Sequence, residues 1–322
     1  MSSVYSNCLI NIAASCSQDA NVGCFTLRNA SLIRPCEINW HSFTPGRSRY
    51  TLIHDKFFYH GLNDTPLGKR GWVLQERLLS PRVVNFGREQ LFWECSELQD
   101  ACEAFPCGLP RKGAVDAGRC PFSLPAALAS SNAFTIWSRV ILNYTRRALT
   151  RPFEDKFIAL GAIAELAAVL LNDDYLAGHF RQSLFPSLLW TVWGEDLVNK
   201  TTKRWVGPYR APSWSWASMD GHIMLTDAFR GSVVAMLEDV RLEFVDEKNR
   251  TGQLRSARLK IRTIVGSARW SFPKPFQIFH LGLTIDGTDA IVPRQVPEGG
   301  SMSFDDFEEI FTGKPSRSIF QE

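Results

Sequence analysis

Apolar positions recur at helical spacing in residues 67–79, where Leu67, Gly71, Leu74 and Leu78 share one face. Trp72, Gln75 and Leu79 form an adjoining row, and Lys69, Arg70, Glu76 and Arg77 fall elsewhere on the cylinder. Thr65 is the expected N-cap, with Pro66 in the first turn, where a missing N–H costs nothing. Ser80-Pro81 ends the helix, because proline disfavours a helical residue before it. Residues 83–86 and 90–95 then read as strands, with Gly87 marking the turn between them. The expected unit is helix, strand, turn, strand.

The same reading extends along the chain. Residues 1–7 read as the last turn of a helix, and residues 8–14 as a buried strand or a continuation of that helix. Residues 29–51 read as loop with a strand at 36–40, and residues 50–59 as a strand or hairpin. A long loop rich in Gly, Pro and Cys covers residues 96–125, and connections of that length are usually functional or poorly ordered. Phe134, Trp137, Ile141, Tyr144 and Ala148 give one helical stripe, and Phe153, Phe157, Leu160, Ala164, Ala167 and Leu171 another. A third, shorter helix is expected over 176–190, then a polar linker to Tyr209.

After Pro212 the period becomes two. Trp214 and Trp216 are expected on one side of an extended segment, with the serines opposite. Val240, Leu242 and Phe244 alternate with polar residues, as do Leu259 and Ile261, and residues 246–252 are polar enough to close a hairpin. Residues 267–292 add at least one strand, and the tail from Pro293 is expected to be poorly anchored. The fold class expected is a mixed α+β protein.

Composition narrows the function classes. At 322 residues the chain suffices for one large domain or two ordinary ones. A hydrophobic fraction of 45% and a charged fraction of 21% are those of a soluble globular protein. Ten tryptophans and 22 phenylalanines call for a packed interior or an aromatic-lined surface. A net charge of +3 gives no case for nucleic-acid binding. The longest apolar run, 157–171, contains Glu165 and is too short to span a bilayer, so no membrane association is expected. Residues 1–7 are not a basic lead into an apolar run, so no secretory signal is read and the expected location is cytoplasmic. The eight cysteines are then expected as free thiols.

Candidate chemistry is sparse. The six histidines are scattered, and Cys95, Cys102 and Cys107 lack the spacing of a zinc knuckle, so no metal is expected. Neither GxxxxGK[ST] nor GxGxxG occurs, and Lys69-Arg70 at a helix N-terminus would oppose its dipole. One polar constellation remains: Arg70, Gln75, Glu76, Arg77, Arg82 and Glu94. In a functional reading Glu76 is a base or a ribose-binding carboxylate, and an arginine clamps an anion. In the structural reading, which is preferred, Arg82 or Arg77 pairs with Glu76 or Glu94 and holds the helix to the hairpin. The Trp214-Ser215-Trp216 segment is likewise read as core rather than as an aromatic ligand box.

Three motifs carry a resemblance. Arg70-Gly71-Trp72-x-x-Gln75-Glu76-Arg77-x-Leu79-Ser80-x-Arg82 leads into a strand ending Trp93-Glu94-Cys95. Leu149-Thr150 with Asp155-Lys156 follows, and then Tyr209-Arg210-Ala211-Pro212-Ser213-Trp214-Ser215-Trp216-Ala217-Ser218. In this order, over roughly residues 1–220, they resemble the fungal heterokaryon incompatibility (HET) domain and the region after it. The match is to the second half of that domain. An aromatic-Trp-Gly loop and a Trp-x-Asp-x-x-Cys-Ile-x-Gln segment, upstream in the family, have no counterpart here.

The resemblance implies the remnant of an α/β HET domain over 1–125, a helical segment at 126–212, a β-rich segment at 213–292, and a tail at 293–322. It implies a part in fungal nonself recognition and programmed cell death, as a truncated, non-catalytic interaction or regulatory piece, with no cofactor. Self-association or a protein partner is expected, through the face formed by residues 1–14. The alternative implied by the TIR-like half of the family is an NAD glycohydrolase, with NAD as its substrate, completed by a missing upstream segment or a partner chain.

Overall fold

The computed structural model describes residues 2–41, 47–54, 57–98, 101–108, 122–130, 132–192, 202–225, 233, 235–263, 280–285 and 288–293. The expected tail from Pro293, beyond that residue itself, and parts of the 96–125 loop and the 193–209 linker lie outside them. The chain divides by packing into two compact units, Met1–Asn172 and Asp173–Glu322. Both helices and strands build it, in small sheets, so the class is α+β as the periodicities predict.

Unit 1 opens with α1 (Ser2–Ser6) and β1 (Asn11–Ala13). α2 (Ala30–Ile33) follows, capped by the Asn29 side chain, which accepts from Ser31 N. A hairpin of β2 (Cys36–His41) and β3 (Arg47–Leu52) comes next, then α3 (Phe57–Leu62). Residues 57–59 are thus helical rather than part of a strand, with Phe57 and Phe58 packed on Leu62, Phe92 and Cys102.

The central unit is α4 (Val73–Leu79), β4 (Arg82–Phe86) and β5 (Leu91–Cys95), joined by β6 (Ala101–Cys102). The sheet order is β1-β4-β5-β6, with β1 parallel to β4 and the remaining pairs antiparallel. β1 is an edge strand whose Ala13 is buried while Ile12 is 63% exposed, so only one of its faces meets the core.

The expected helix from residue 67 begins six residues late, and the cause is tertiary. Thr65 does cap a turn, its Oγ1 accepting from Gly68 N at 2.9 Å. The backbone then turns aside to pair with a distant segment: Ala148 N donates to Lys69 O and Gly71 N donates to Ala148 O, both at 2.7 Å. Gly71 permits the approach, since a Cβ there would lie 2.3 Å from Leu149 Cδ2. The helix restarts at Val73 and stops before Pro81, with Ser80 extended (φ −73°, ψ 132°).

Three helices complete the unit: α5 (Leu124–Ser130), α6 (Ala133–Thr145) and α7 (Pro152–Leu171). Asn132 caps α6 by accepting from Phe134 N and Thr135 N. Pro152 opens α7, Glu154 and Asp155 lie in its first turn, where its dipole favours them, and left-handed Asn172 ends it. The expected stripes are buried at Trp137, Ile141, Tyr144, Phe157, Leu160, Ala164 and Ala167, while Ala148 is exposed at the backbone bridge. α7 packs against α4, whose Leu74 is fully buried.

Unit 2 is a set of short two-stranded pairings. Residues 176–190 are not the expected helix. β7 (Tyr175–Leu176) and β8 (His179–Phe180) form a hairpin, followed by a 3-10 turn and α8 (Leu184–Ser187). Ala177 (φ 48°) and Gly178 (φ 103°) both have positive φ, the arrangement a tight two-residue hairpin requires. β9 (Thr191–Val192), β10 (Lys203–Arg204), β11 (Met219–Asp220) and β12 (Ile223–Met224) pair as β9 with β12 and β10 with β11. The expected polar linker therefore contains a strand.

β13 (Met236–Phe244) and β14 (Leu254–Arg262) form the hairpin that the alternation predicts, closed at 246–252. β15 (His280–Ile285) and β16 (Thr288–Pro293) form another.

The Trp-Ser-Trp segment is a turn and a 3-10 helix (Trp216–Ser218), not a strand. Trp214 and Trp216 are buried as expected, but Ser215 is buried with them instead of facing outward. Ser215 Oγ donates to Ala177 O at 2.6 Å, and Trp216 Nε1 donates to Gly178 O at 3.0 Å. A Cβ on Gly178 would sit 2.4 Å from that indole nitrogen, so glycine is needed there for contact as well as for φ. Arg210 of the same motif is buried, pairs with Asp220 at 3.0 Å and lies over the Trp205 ring.

Candidate functional site

The six polar candidates divide into three environments. Arg77 and Glu94 form a buried ion pair between α4 and β5: Arg77 Nε donates to Glu94 Oε2 at 2.8 Å and Nη2 to Oε1. Asn85 Nδ2 also donates to Glu94 Oε2 at 3.1 Å, and Ser15 Oγ donates to Asn85 Oδ1 at 3.2 Å. All four side chains are buried. Burying two charges costs several kcal/mol per ion, which this bidentate geometry and the extra donor offset. Glu94 is therefore committed to its neighbours and is 3% exposed.

Glu76, one residue earlier on α4, lies about a third of a turn round the helix and is half-buried. The Tyr5 hydroxyl donates to its carboxylate. Burial pushes the Glu76 carboxyl above the usual carboxylate range, against the opposing effects of Tyr5 and, at longer range, Arg70. Burial, with the nearby Glu76 charge, also raises the Tyr5 phenol. Asn11 Nδ2 donates to Glu76 O at 3.3 Å and Ser80 Oγ at 3.2 Å, tying β1 to the end of α4. Tyr5, Asn11 and Asn85 were not among the sequence candidates. Each lies outside α4 and carries no spacing signal that links it to Glu76.

Around this carboxylate lies a cavity of about 260 Å³. Its wall includes Tyr5, Glu76, Arg77, Asn85 and Arg147, the β1 residues Asn11 to Ala13, and apolar Leu62, Leu67, Val73 and Val83. Arg77 is engaged by Glu94, and Arg147 donates to Gly68 O and, at 3.1 Å, to Asn63 Oδ1.

The remaining candidates stand apart. Arg82, weighed as the partner of Glu76 or Glu94, is exposed and, among the described residues, reaches only Leu9 O, at 3.5 Å. It begins β4, where alternation turns it away from the α4 face that holds Val83 and Asn85. Arg70 is exposed, and Gln75 is on the buried side of α4. Lys69 pairs on the surface with Asp64 at 2.7 Å. Trp72 Nε1 donates to Asp155 Oδ2 at 3.2 Å, and Trp93 packs on the cluster of Ala13, Val83, Cys95 and Phe122. Trp72, Gly71, Leu149 and Asp155 come from two of the quoted motifs, which thus meet at one joint. Trp214 and Trp216 belong to the core of unit 2.

Among the described residues no group of three His, Cys, Asp or Glu could hold a metal ion, and the seven described cysteines are free. Among them too, no helix is long and apolar enough to cross a membrane.

Comparison with curated proteins gives no match, and comparison with solved structures gives none either. Residues 1–76 match the family model described as heterokaryon incompatibility protein (HET). That stretch runs from α1 through the cavity wall to Glu76 and includes the start of the Arg70-Gly71-Trp72 motif. The similarity to that family thus covers the first 76 of the 322 residues.

Proposed function

We propose that this chain serves nonself recognition in a fungal cytoplasm as a non-catalytic interaction piece, one that regulates commitment to programmed cell death. The observation that carries this reading is the surface of α1 and β1. Val4, Leu9 and Ile12 are 68%, 79% and 63% exposed within nine residues, beside an edge strand whose outer side has no partner among the described residues. Edge strands with exposed apolar side chains are templates for association unless covered. The interior network of Arg77, Glu94, Asn85 and Ser15 fits the same reading, since it holds the helix and hairpin and leaves no group poised for chemistry.

Light scattering after size-exclusion chromatography tests it. Wild-type protein is expected to associate with rising concentration, and the double variant Leu9→Asp/Ile12→Asp to elute as a monomer with an unchanged unfolding midpoint. A wild-type chain that stays a monodisperse monomer at high concentration would overturn the reading.

Glu76 supports a second reading, NAD cleavage by this chain or an assembly containing it. A half-buried carboxyl with a raised pKa, beside a phenol in a cavity, has the form of a general base or a ribose-binding group. Chromatographic measurement of NAD consumption decides it. Turnover by the wild type that falls at least about a hundredfold in Glu76→Gln would favour the enzyme, the scale expected for loss of general acid–base catalysis. No turnover in either favours the interaction reading.

A further inference from the structure

We infer that β1 receives an extended segment of a partner protein whose basic side chain enters the cavity and meets Glu76. This rests on the interaction reading above and names the chemistry of the partner.

Geometry sets where such a side chain would go. Asn11 and Ala13 of β1 stand opposite Val83 and Asn85 of β4, so their side chains share the face toward α4. That face borders the cavity, whose wall includes Asn11 and Ala13. A strand added to the outer side of β1 continues the pleat, so alternate side chains of the newcomer point to the same face. The cavity therefore lies beside the place where an added strand would direct every second residue.

Charge sets what the side chain is. Glu76 brings a carboxylate to a half-buried position, and its described hydrogen-bond donor is a neutral phenol. Of the cations in the wall, Arg77 is ion-paired with Glu94, while Arg147 keeps its charge and directs its two Nη atoms at the neutral oxygens Gly68 O and Asn63 Oδ1. An arriving ammonium or guanidinium would gain a charge-assisted bond to Glu76, whereas an arriving carboxylate would meet its repulsion. Leu62, Leu67, Val73 and Val83 offer apolar surface to the methylene stem of lysine or arginine. Desolvation raises the Glu76 carboxyl, so a cation there relieves an existing cost.

The test uses the full chain and three probes in calorimetric titrations. The probes are a blocked pentapeptide of alternating valine and threonine with a central arginine, the same peptide with citrulline at the centre, and agmatine alone. The arginine peptide is expected to bind at least about tenfold more tightly than the citrulline peptide, the worth of one charge-assisted contact. Glu76→Gln should erase that preference, and Tyr5→Phe, which keeps the carboxylate, should reduce it only a few-fold.

Equal binding of the two peptides, a preference that survives in Glu76→Gln, or no binding of either peptide to the wild type would overturn the inference. Agmatine binding as tightly as the arginine peptide would also overturn it, assigning the cavity to a free amine. Circular dichroism confirms that each variant is folded. If Leu9→Asp/Ile12→Asp abolishes association while Glu76→Gln leaves the peptides undistinguished from wild type, the interaction reading stands and this inference falls.

Discussion

Glu94→Ala is expected to cost unit 1 about 3–5 kcal/mol, the range for removing one partner of a buried ion pair. The reason is what remains. Arg77 is 6% exposed, and with Glu94 gone its guanidinium loses both bonds to the carboxylate while staying out of water. Asn85 Nδ2 loses its acceptor as well. Arg77→Ala should cost a similar amount by stranding the carboxylate. Replacing both partners at once, as Arg77→Met/Glu94→Leu, should recover most of the loss, because apolar residues of similar volume need no partner. Arg82→Ala is the control: the side chain is exposed and its contact is long, so the change should stay within about 0.5 kcal/mol. Urea denaturation of the four variants measures all of this. A single-variant loss below about 1 kcal/mol, or an Arg82 variant as damaged as Glu94→Ala, would reject the assignment.

The ion pair also shows what a one-dimensional pattern can and cannot deliver. Helical period in α4 and alternation in β4 and β5 place Arg77, Glu76 and Glu94 in one neighbourhood from sequence alone. Which cation meets which anion depends on facing, and facing depends on the true start of the helix. That start is fixed by Ala148 and Leu149, some 77 residues away, through backbone hydrogen bonds that leave no periodic trace. The quoted motifs contain both sides of that joint, yet nothing in their spacing says that Gly71 meets Leu149 or that Trp72 bonds Asp155.

The misread stretches in unit 2 have the same origin. Trp214 and Trp216 alternate as a strand would, but the Ser215 hydroxyl and the Trp216 indole close on the Ala177-Gly178 turn instead, because that turn presents two carbonyls that need donors. The 176–190 apolar content suggested a helix, while Ala177-Gly178 held the hairpin signal in a pair of small residues without a polar marker. The candidate cavity was half legible. Glu76 was nominated from its motif, whereas Tyr5 enters only because α1 packs against α4.

Unit 2 should lose stability as pH falls below about 6.5, and His179 should carry the loss. The imidazole is fully buried, 6.0 Å from the Trp214 ring and tilted 38° to it, in a unit whose buried residues include Leu176, Phe180 and Trp216. Burial lowers its pKa from 6.5 to about 3, against the opposing effect of the Trp214 backbone. In the folded chain the ring is neutral, and in the unfolded chain it takes a proton near its ordinary value. The unfolded state thus binds more protons between those limits, so stability is fully present above 6.5 and declines until the folded ring itself titrates near 3. Each pH step in that window removes up to 1.36 kcal/mol, on the order of 5 kcal/mol across all of it. Carboxylates titrate in the lower part, so the decisive quantity is a difference. Between pH 7 and 4.5 the wild type should lose about 2–3 kcal/mol more than His179→Gln, whose amide fills similar space and does not titrate. Urea titrations at five pH values, read by tryptophan fluorescence, provide it. Parallel curves for the two proteins would mean that His179 is not held neutral by burial. Converging curves would show one buried ring setting the acid limit of this half of the chain.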